Sequence, residues 1–277
     1  EALDHLDRPR AGAQLAIQEH SSGPRVVVIG GYDSAGAVAA IEVISNLTGV
    51  SGSIEVAPFP VALPVGVFAH TATTVGQKVL VYGGFKSFPS LNDDPSISCT
   101  ANQTTCFLEY LRLRVPDVGE AFRSLDESIA EEVQLIDLQS ETANTINAAR
   151  ADEGDSLYAA NQILGRVWHQ AVAIDDHTVL VAGGLARAQG GNGQTEVAHR
   201  PGRQVELCEI GQNPRCRTPK DFQIKGAEGR AEFQLNALPG GTLFLSGGRV
   251  GPSGVQPDSS TLAPTANAQI GIPPIVR

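Results

Sequence analysis

The sequence predicts an all-β protein, a β-propeller of four-stranded blades. Three observations carry this. Gly and Pro together account for 47 of the 277 residues, about one in six against a usual roughly 12%, which favours many short elements joined by turns. A hydrophobic run ending in two glycines recurs four times, at Arg25–Gly31 (RVVVIGG), Lys78–Gly84 (KVLVYGG), Thr178–Gly184 (TVLVAGG) and Thr242–Gly248 (TLFLSGG). Strand-like segments, four to a unit of roughly 50 residues, match the arithmetic of a propeller blade.

Each Gly-Gly run is the second strand of its unit, and a first strand and tight turn precede it. GAQLAIQ leads through Glu19–Pro24, FAHTATTV through Gly76-Gln77, VWHQAVAI through Asp175-Asp176-His177, and AEFQLNAL through Pro239-Gly240-Gly241. β-branched and apolar residues flanking turn formers read as hairpins. The phase agrees: Phe68 to Gly83 and Trp168 to Gly183 are 15 residues, Phe233 to Gly247 is 14. Two residues without Cβ can adopt positive φ and admit a neighbouring backbone, which suits a crowded place where sheets converge. Third strands are expected at Ala40–Ile44, Phe107–Leu113 and Gln204–Glu209, fourth strands at Ser53–Ala57 and Asp221–Lys225.

The copies RVVVIGGY, FAHTATTVGQKVLVYGGF and VWHQAVAIDDHTVLVAGG resemble the kelch repeat, the third being similar to the divergent repeats of exported bacterial proteins. The resemblance covers roughly residues 8–115 and 133–250. It departs from the family in lacking most of the Tyr and Trp of the outer strands; aromatic residues are 5%. It implies a propeller domain over residues 1–250, followed by a Pro/Gly-rich tail or closing segment over 251–277.

The repeat breaks once. The Gly-Gly pairs begin at 30, 83, 183 and 247, and the step of 100 between the second and third is twice the repeat. A fifth, degenerate blade would set Phe122 against Phe68 and Val133 against Val79. Alternatively, Val118, Phe122, Leu125, Ile129, Val133 and Ile136 recur at helical spacing. A helical insertion around 117–132 would then decorate the second unit, with Val133–Ile146 as its outer hairpin.

Four cysteines form two close pairs, Cys99/Cys106 and Cys208/Cys216. Local disulfides need no assumption about the fold. Neither pair has the tight Cys-x-x-Cys knuckle of a zinc site, and free thiols are the remaining reading. Disulfides place the chain in an oxidising compartment: secreted, periplasmic or cell surface. The sequons at Asn46 and Asn102 agree with export. The chain contains no Met, as expected of a processed chain or excised fragment. Its net charge of −10 disfavours nucleic acid and anionic membrane surfaces as partners. The longest apolar stretch, Val56–Ala69, is interrupted by three prolines and is too short to span a bilayer.

The chemistry is sparse. His70 and His169 sit one residue apart in the aligned first strands, which line the central channel of propellers. They are weak candidates for a metal or acid–base pair against a bonding role between blades. Among kelch-like enzymes, galactose oxidase needs two Tyr, two His and a Cys linked to Tyr; with the cysteines paired locally, no copper ligand carries over and no cofactor is expected. Asn92, Asp93 and Asp94 offer hard oxygen ligands, or simply an exposed acidic loop. The loops Phe85–Thr105 and Leu185–Pro201, with Asn92, Asp93, Asp94, Arg187 and Asn192, are the expected contact surface for a protein or glycan. The expected function is an exported, non-catalytic interaction module. The alternatives are a galactose-oxidase-like or other enzyme with a site at the axis, and a structural segment of a surface or fibre protein.

Overall fold

The computed structural model describes residues 5–47, 54–88, 128–146, 162–189, 195–201, 205–217, 230–231, 233–238, 242–247, 249–250, 263–264 and 268–271. All regular structure among them is β. Four antiparallel sheets follow one another along the chain. The first is Gln14–Gln18, Arg25–Ile29, Glu42–Ser45 and Glu55–Pro58, hydrogen-bonded in that order. The second is Thr71–Val75, Lys78–Tyr82, Val133–Asp137 and Thr142–Ile146. Gln170–Ala173, Thr178–Ala182, Val205–Glu209 and Arg215–Arg217 make the third; Gln234–Leu238, Thr242–Ser246 and Ala268–Gly271 make the fourth. The tail beyond residue 250 thus supplies the third strand of the fourth sheet. First strands of successive sheets lie side by side, first to second, second to third and third to fourth.

The four units are in phase to the residue. In each, the residue before Gly-Gly opens the hairpin ladder: Ile29 faces Gln14, Tyr82 faces Thr71, Ala182 faces Gln170 and Ser246 faces Gln234. Beyond the glycines the same two chain segments pair again, as Ala11 with Tyr32, Phe68 with Phe85, Val167 with Leu185 and Ala231 with Arg249. The residue after Gly-Gly then pairs onward with Ala37, Ile129, Pro201 and Pro264. Five residues later, at 42, 134, 206 and 269, the third strand crosses Val28, Val81, Val181 and Leu245. This places His70 and His169 at one and the same position, immediately before the ladder, not one residue apart. Ala13 and Phe233 are their counterparts.

The break in the repeat is an insertion. Val133–Asp137 pairs with Lys78–Tyr82, and Thr142–Ile146 closes the second sheet, so the degenerate fifth blade is overturned. Val133–Asp137 also takes the third-strand place expected for Phe107–Leu113, which lie outside the described residues. Val133 and Ile136, which continued the helical spacing, are strand residues, and Ser128–Glu132 run as turn, bridge and irregular backbone. The remainder of the expected helix, 117–127, lies outside the described residues. The fourth strand of the third sheet is Arg215–Arg217: the turn at Gln212–Pro214 returns the chain before Asp221–Lys225, which lie outside the described residues, and Cys208 faces Cys216 across the ladder.

That pair is bonded, with a Cα–Cα distance of 4.0 Å; Cys99 and Cys106 lie outside the described residues. Both sulfurs are fully buried, in a cluster with Val75, Leu80, Tyr82, Val179 and Val181 between the second and third sheets. The sheets pack face to face through three such clusters. The first joins Val27, Ile29 and Val43 to Val79, Val81 and Ile136. The third joins Leu180, Val205 and Leu207 to Phe233, Leu235 and Leu245.

Because the Cys208–Cys216 bond closes a loop of nine residues, its removal is expected to cost about 2.5 kcal/mol in the chain-entropy model. A Cys208→Ala, Cys216→Ala variant should lower the urea midpoint accordingly. Non-reducing peptide mapping should recover a peptide joining residues 208 and 216; one joining the regions of residues 100 and 210 would contradict the pairing.

Candidate functional site

The groups capable of chemistry converge where consecutive sheets meet, beside the glycine pairs. The glycines make this possible. Gly83 has φ 61° and Gly84 φ 92°, the left-handed region that side chains rarely adopt. A Cβ on Gly83 would lie 2.2 Å from the Arg166 carbonyl oxygen and 3.0 Å from the His169 ring, and one on Gly84 would lie 2.8 Å from the Cβ of His70. The Gly84 amide donates to the Arg166 carbonyl at 2.7 Å, and the Gly31 amide to the Val67 carbonyl at 2.8 Å. Each histidine is therefore wedged between two glycine pairs. His70 covers Gly30 of the first sheet and Gly84 of its own; His169 covers Gly83 of the second sheet and Gly184 of its own.

Both imidazoles are buried. Burial is the chief cause that pushes the His70 pKa down to about 4, against a smaller upward pull from the Ile29 backbone carbonyl. No ring nitrogen of His70 reaches ordinary hydrogen-bond geometry. His169 falls to about 3, through burial first, then the positive Arg166 and His70, with the Tyr82 backbone opposing. Its Nε2 shares a 2.9 Å hydrogen bond with the Thr71 hydroxyl, and its ring meets that of Tyr82 edge-on at 5.3 Å. Both histidines are neutral at pH 7.

Three residues before His169, the fully buried Arg166 donates to Glu206 Oε1 at 3.1 Å and to the Gly183 carbonyl at 2.7 Å. The Tyr82 hydroxyl of the second sheet donates to Glu206 Oε2 at 2.7 Å. The carboxylate thus ties two sheets together. The first sheet repeats the device. Arg10, three residues before Ala13, pairs with the buried Glu42 and donates to the carbonyls of Gly30 and Ala40. The second sheet replaces it with neutral groups: Val67 stands where the arginines stand and Gln134 where the glutamates stand. Gln134 exchanges two hydrogen bonds with the backbone of Val65, at 2.9 and 3.0 Å.

These residues were not singled out in the sequence, although Arg10, Arg166 and Arg230 each stand four residues before the glutamine that opens the first strand, Gln14, Gln170 and Gln234. Of the expected contact residues, Asn92, Asp93, Asp94 and Asn192 lie outside the described residues. Arg187 lies on a strand, not in a loop: Leu185–Gln189 pairs with Gln162–Val167 and with Thr195–Pro201. The short Gly-rich link between those two strands explains the hairpin. Among the described residues no group of three or more His, Cys, Asp or Glu is placed to hold a metal. Neither a protein-family model nor a curated protein sequence matches this chain.

Two outcomes follow from the buried groups. Glu206→Ala strands the Arg166 guanidinium without a counter-charge and should cost about 3–5 kcal/mol. Arg166→Val with Glu206→Gln, which copies the second sheet, should cost less than Glu206→Ala; chemical denaturation of the variants checks the order. The histidines make a pH prediction. Unfolded, each titrates near 6.5; folded, each stays neutral to about 4 or below. Between these values only the unfolded chain takes up the protons, so stability is fully present above pH 6.5 and falls as the pH falls. The slope is up to about 1.4 kcal/mol per pH unit for each histidine. Urea midpoints from pH 7 to 4 should fall more steeply for the wild type than for a His70→Gln, His169→Gln variant.

Proposed function

We propose that the chain is an exported β-propeller unit of kelch-like blades that acts as an interaction module, presenting the segments after its Gly-Gly pairs to a protein or glycan. One observation carries the reading: the side chains that look catalytic are committed to holding sheets together. Arg166 and Glu206 neutralise each other and bind Gly183 and Tyr82, and His169 is neutral and packed on Gly83 and Tyr82. The in-phase units, with first strands side by side, support the kelch-like propeller. The buried Cys208–Cys216 bond supports an oxidising compartment. What varies from unit to unit is the segment after Gly-Gly, which leaves and rejoins the frame at paired residues such as Phe85 and Ile129. Recognition on a rigid scaffold resides in such segments.

The reading with a catalytic site at the propeller axis draws on one feature, the two His70 nitrogens without a hydrogen-bond partner. Metal analysis separates the two: stoichiometric copper or another transition metal in the purified chain favours the enzyme. The interaction module is tested by grafting short turns over 89–127 and over 190–194. Cooperative unfolding should persist and binding on glycan and protein arrays should disappear. Array binding that survives both grafts would rule out this surface.

A further inference from the structure

Each internal sheet is covered on both sides, and the repeat makes the covered positions comparable. One face of a sheet packs on the sheet before it. On the second sheet that face carries Ala72, Val79, Val81, Ile136 and Ala143, all in the cluster shared with the first sheet. On the third it carries Ala171, Ala173, Val179, Val181, Cys208 and Cys216, all in the cluster shared with the second. On the fourth it carries Leu235, Leu243 and Leu245, packed against the third. Register places the counterparts on the first sheet at Leu15, Ile17, Val26, Val28, Ile44 and Val56. All six are apolar, and among the described residues no preceding sheet packs on them; Val28 alone of the six is buried, at 3%. Leu15 and Ile17 are each 62% exposed, and Val26, Ile44 and Val56 are half-buried.

The opposite end of the row shows the complementary condition. The other face of each sheet packs on the sheet that follows. Gln18 donates to the Leu138 carbonyl of the second sheet, Val75 lies in the cluster with the third, and Ile174 packs against the cluster with the fourth. Their counterpart on the fourth sheet, Leu238, is 42% exposed. Phe244 is half-buried there, at the position where Val27, Leu80 and Leu180 are fully packed. Of the four large apolar side chains exposed among the described residues, three (Leu15, Ile17 and Leu238) therefore lie on the two end faces; the fourth is Leu47.

We propose that these two faces bind each other between two copies of the chain, the fourth sheet of one copy seating on the first sheet of the other. The contact continues the sheet-on-sheet packing that already joins the four sheets three times over, with residues at the same repeat positions. It is heterologous: different surfaces meet, so every copy uses both ends. A rotation that closes gives a ring of copies, and one that does not gives an open filament. The occupant is a second copy because the first and fourth sheets carry, at matching repeat positions, the two halves of the contact that joins the sheets of this chain. The first-sheet face offers exposed Leu15 and Ile17, an apolar patch that calls for cover; the fourth-sheet face offers Leu238 and Phe244 beside the exposed Gln234 and Asn236.

Sedimentation velocity of the full chain over a wide concentration range tests this. The wild type should sediment as a dimer or larger species, and a 29.0 kDa monomer at every concentration would overturn the proposal. Leu15→Glu with Ile17→Glu blocks the first-sheet face, and Leu238→Glu blocks the fourth. Each variant alone should be monomeric with a thermal transition close to the wild type's, because the altered side chains are exposed. Mixed in equal amounts, the two variants should form a heterodimer through the one intact pair of faces. Variants that assemble like the wild type, or a mixture that stays monomeric, would show that these faces do not meet.

Discussion

The close approach of one sheet's carbonyl to the glycine pair of the preceding sheet sets the geometry on which the rest depends. The Gly84 amide reaches the Arg166 carbonyl at 2.7 Å, across a gap that any Cβ on Gly83 would occupy. That contact forces positive φ at both glycines, which ends the lower hairpin ladder and restarts it above as the Phe68–Phe85 pairing. It also fixes what can follow in the sequence. A residue three places after the contacted carbonyl must sit over the glycines, and His70 and His169 both do. A residue that presents its own carbonyl to the glycines is held with its side chain in the interior. Arg166 meets that condition with a carboxylate, and Val67 meets it by being apolar.

The exchange of Arg–Glu for Val–Gln within one chain shows what the position demands. A buried guanidinium needs a counter-charge and hydrogen bonds to offset its desolvation, and Arg166 has both in Glu206 and Gly183. Remove the guanidinium and the carboxylate would be the uncompensated group; Gln134 avoids that by being neutral and by exchanging bonds with the Val65 backbone. The constraint is thus satisfaction of polar groups, not charge as such. Buried histidines beside buried ion pairs resemble an active site in residue type. Here the geometry aims them at glycine, carbonyl and tyrosine partners in neighbouring sheets.

What was legible in the sequence follows from how local each signal is. The Gly-Gly pairs announce themselves because a hydrophobic strand and its stop are adjacent in the chain. Val133 and Ile136 did not, since spacings of three and four place them on a helix face as readily as Val133, Leu135 and Asp137 alternate on a strand. Only the pairing of Phe85 with Ile129, four residues before Val133, fixes their register. Asp221–Lys225 looked more like a strand than Arg215–Arg217 does, because RCR is short and charged. The Cys208–Cys216 bond decides it: the pair was legible in the sequence, but not that the segment around Cys216 would itself pair with the third strand. Arg10, Glu42, Arg166 and Glu206 were passed over because single charges flanking apolar runs usually mark solvent. Their role rests on a partner 32 or 40 residues away, a distance that local pattern does not span.

The frame separates the length of its connecting segments from its own register. From the residue after Gly-Gly to its next partner, the chain takes five residues in the first unit (32 to 37) and 44 in the second (85 to 129). Even so, the third strand enters at the same place, five residues further on, in both. The physical reason is that closing a longer flexible segment costs little more than closing a short one. Going from five to 44 residues adds only about 2 kcal/mol of closure entropy. The hydrogen bonds at the two anchor residues and the apolar cluster behind them are common to both units, so this added cost is borne by packing that does not change. A scaffold with this property can lengthen or rewrite one segment without shifting a strand, while a single added carbon at Gly83 would collide with the next sheet. The constrained positions are therefore the small ones at the sheet junctions, and the freedom to acquire a partner lies in the segments between anchors.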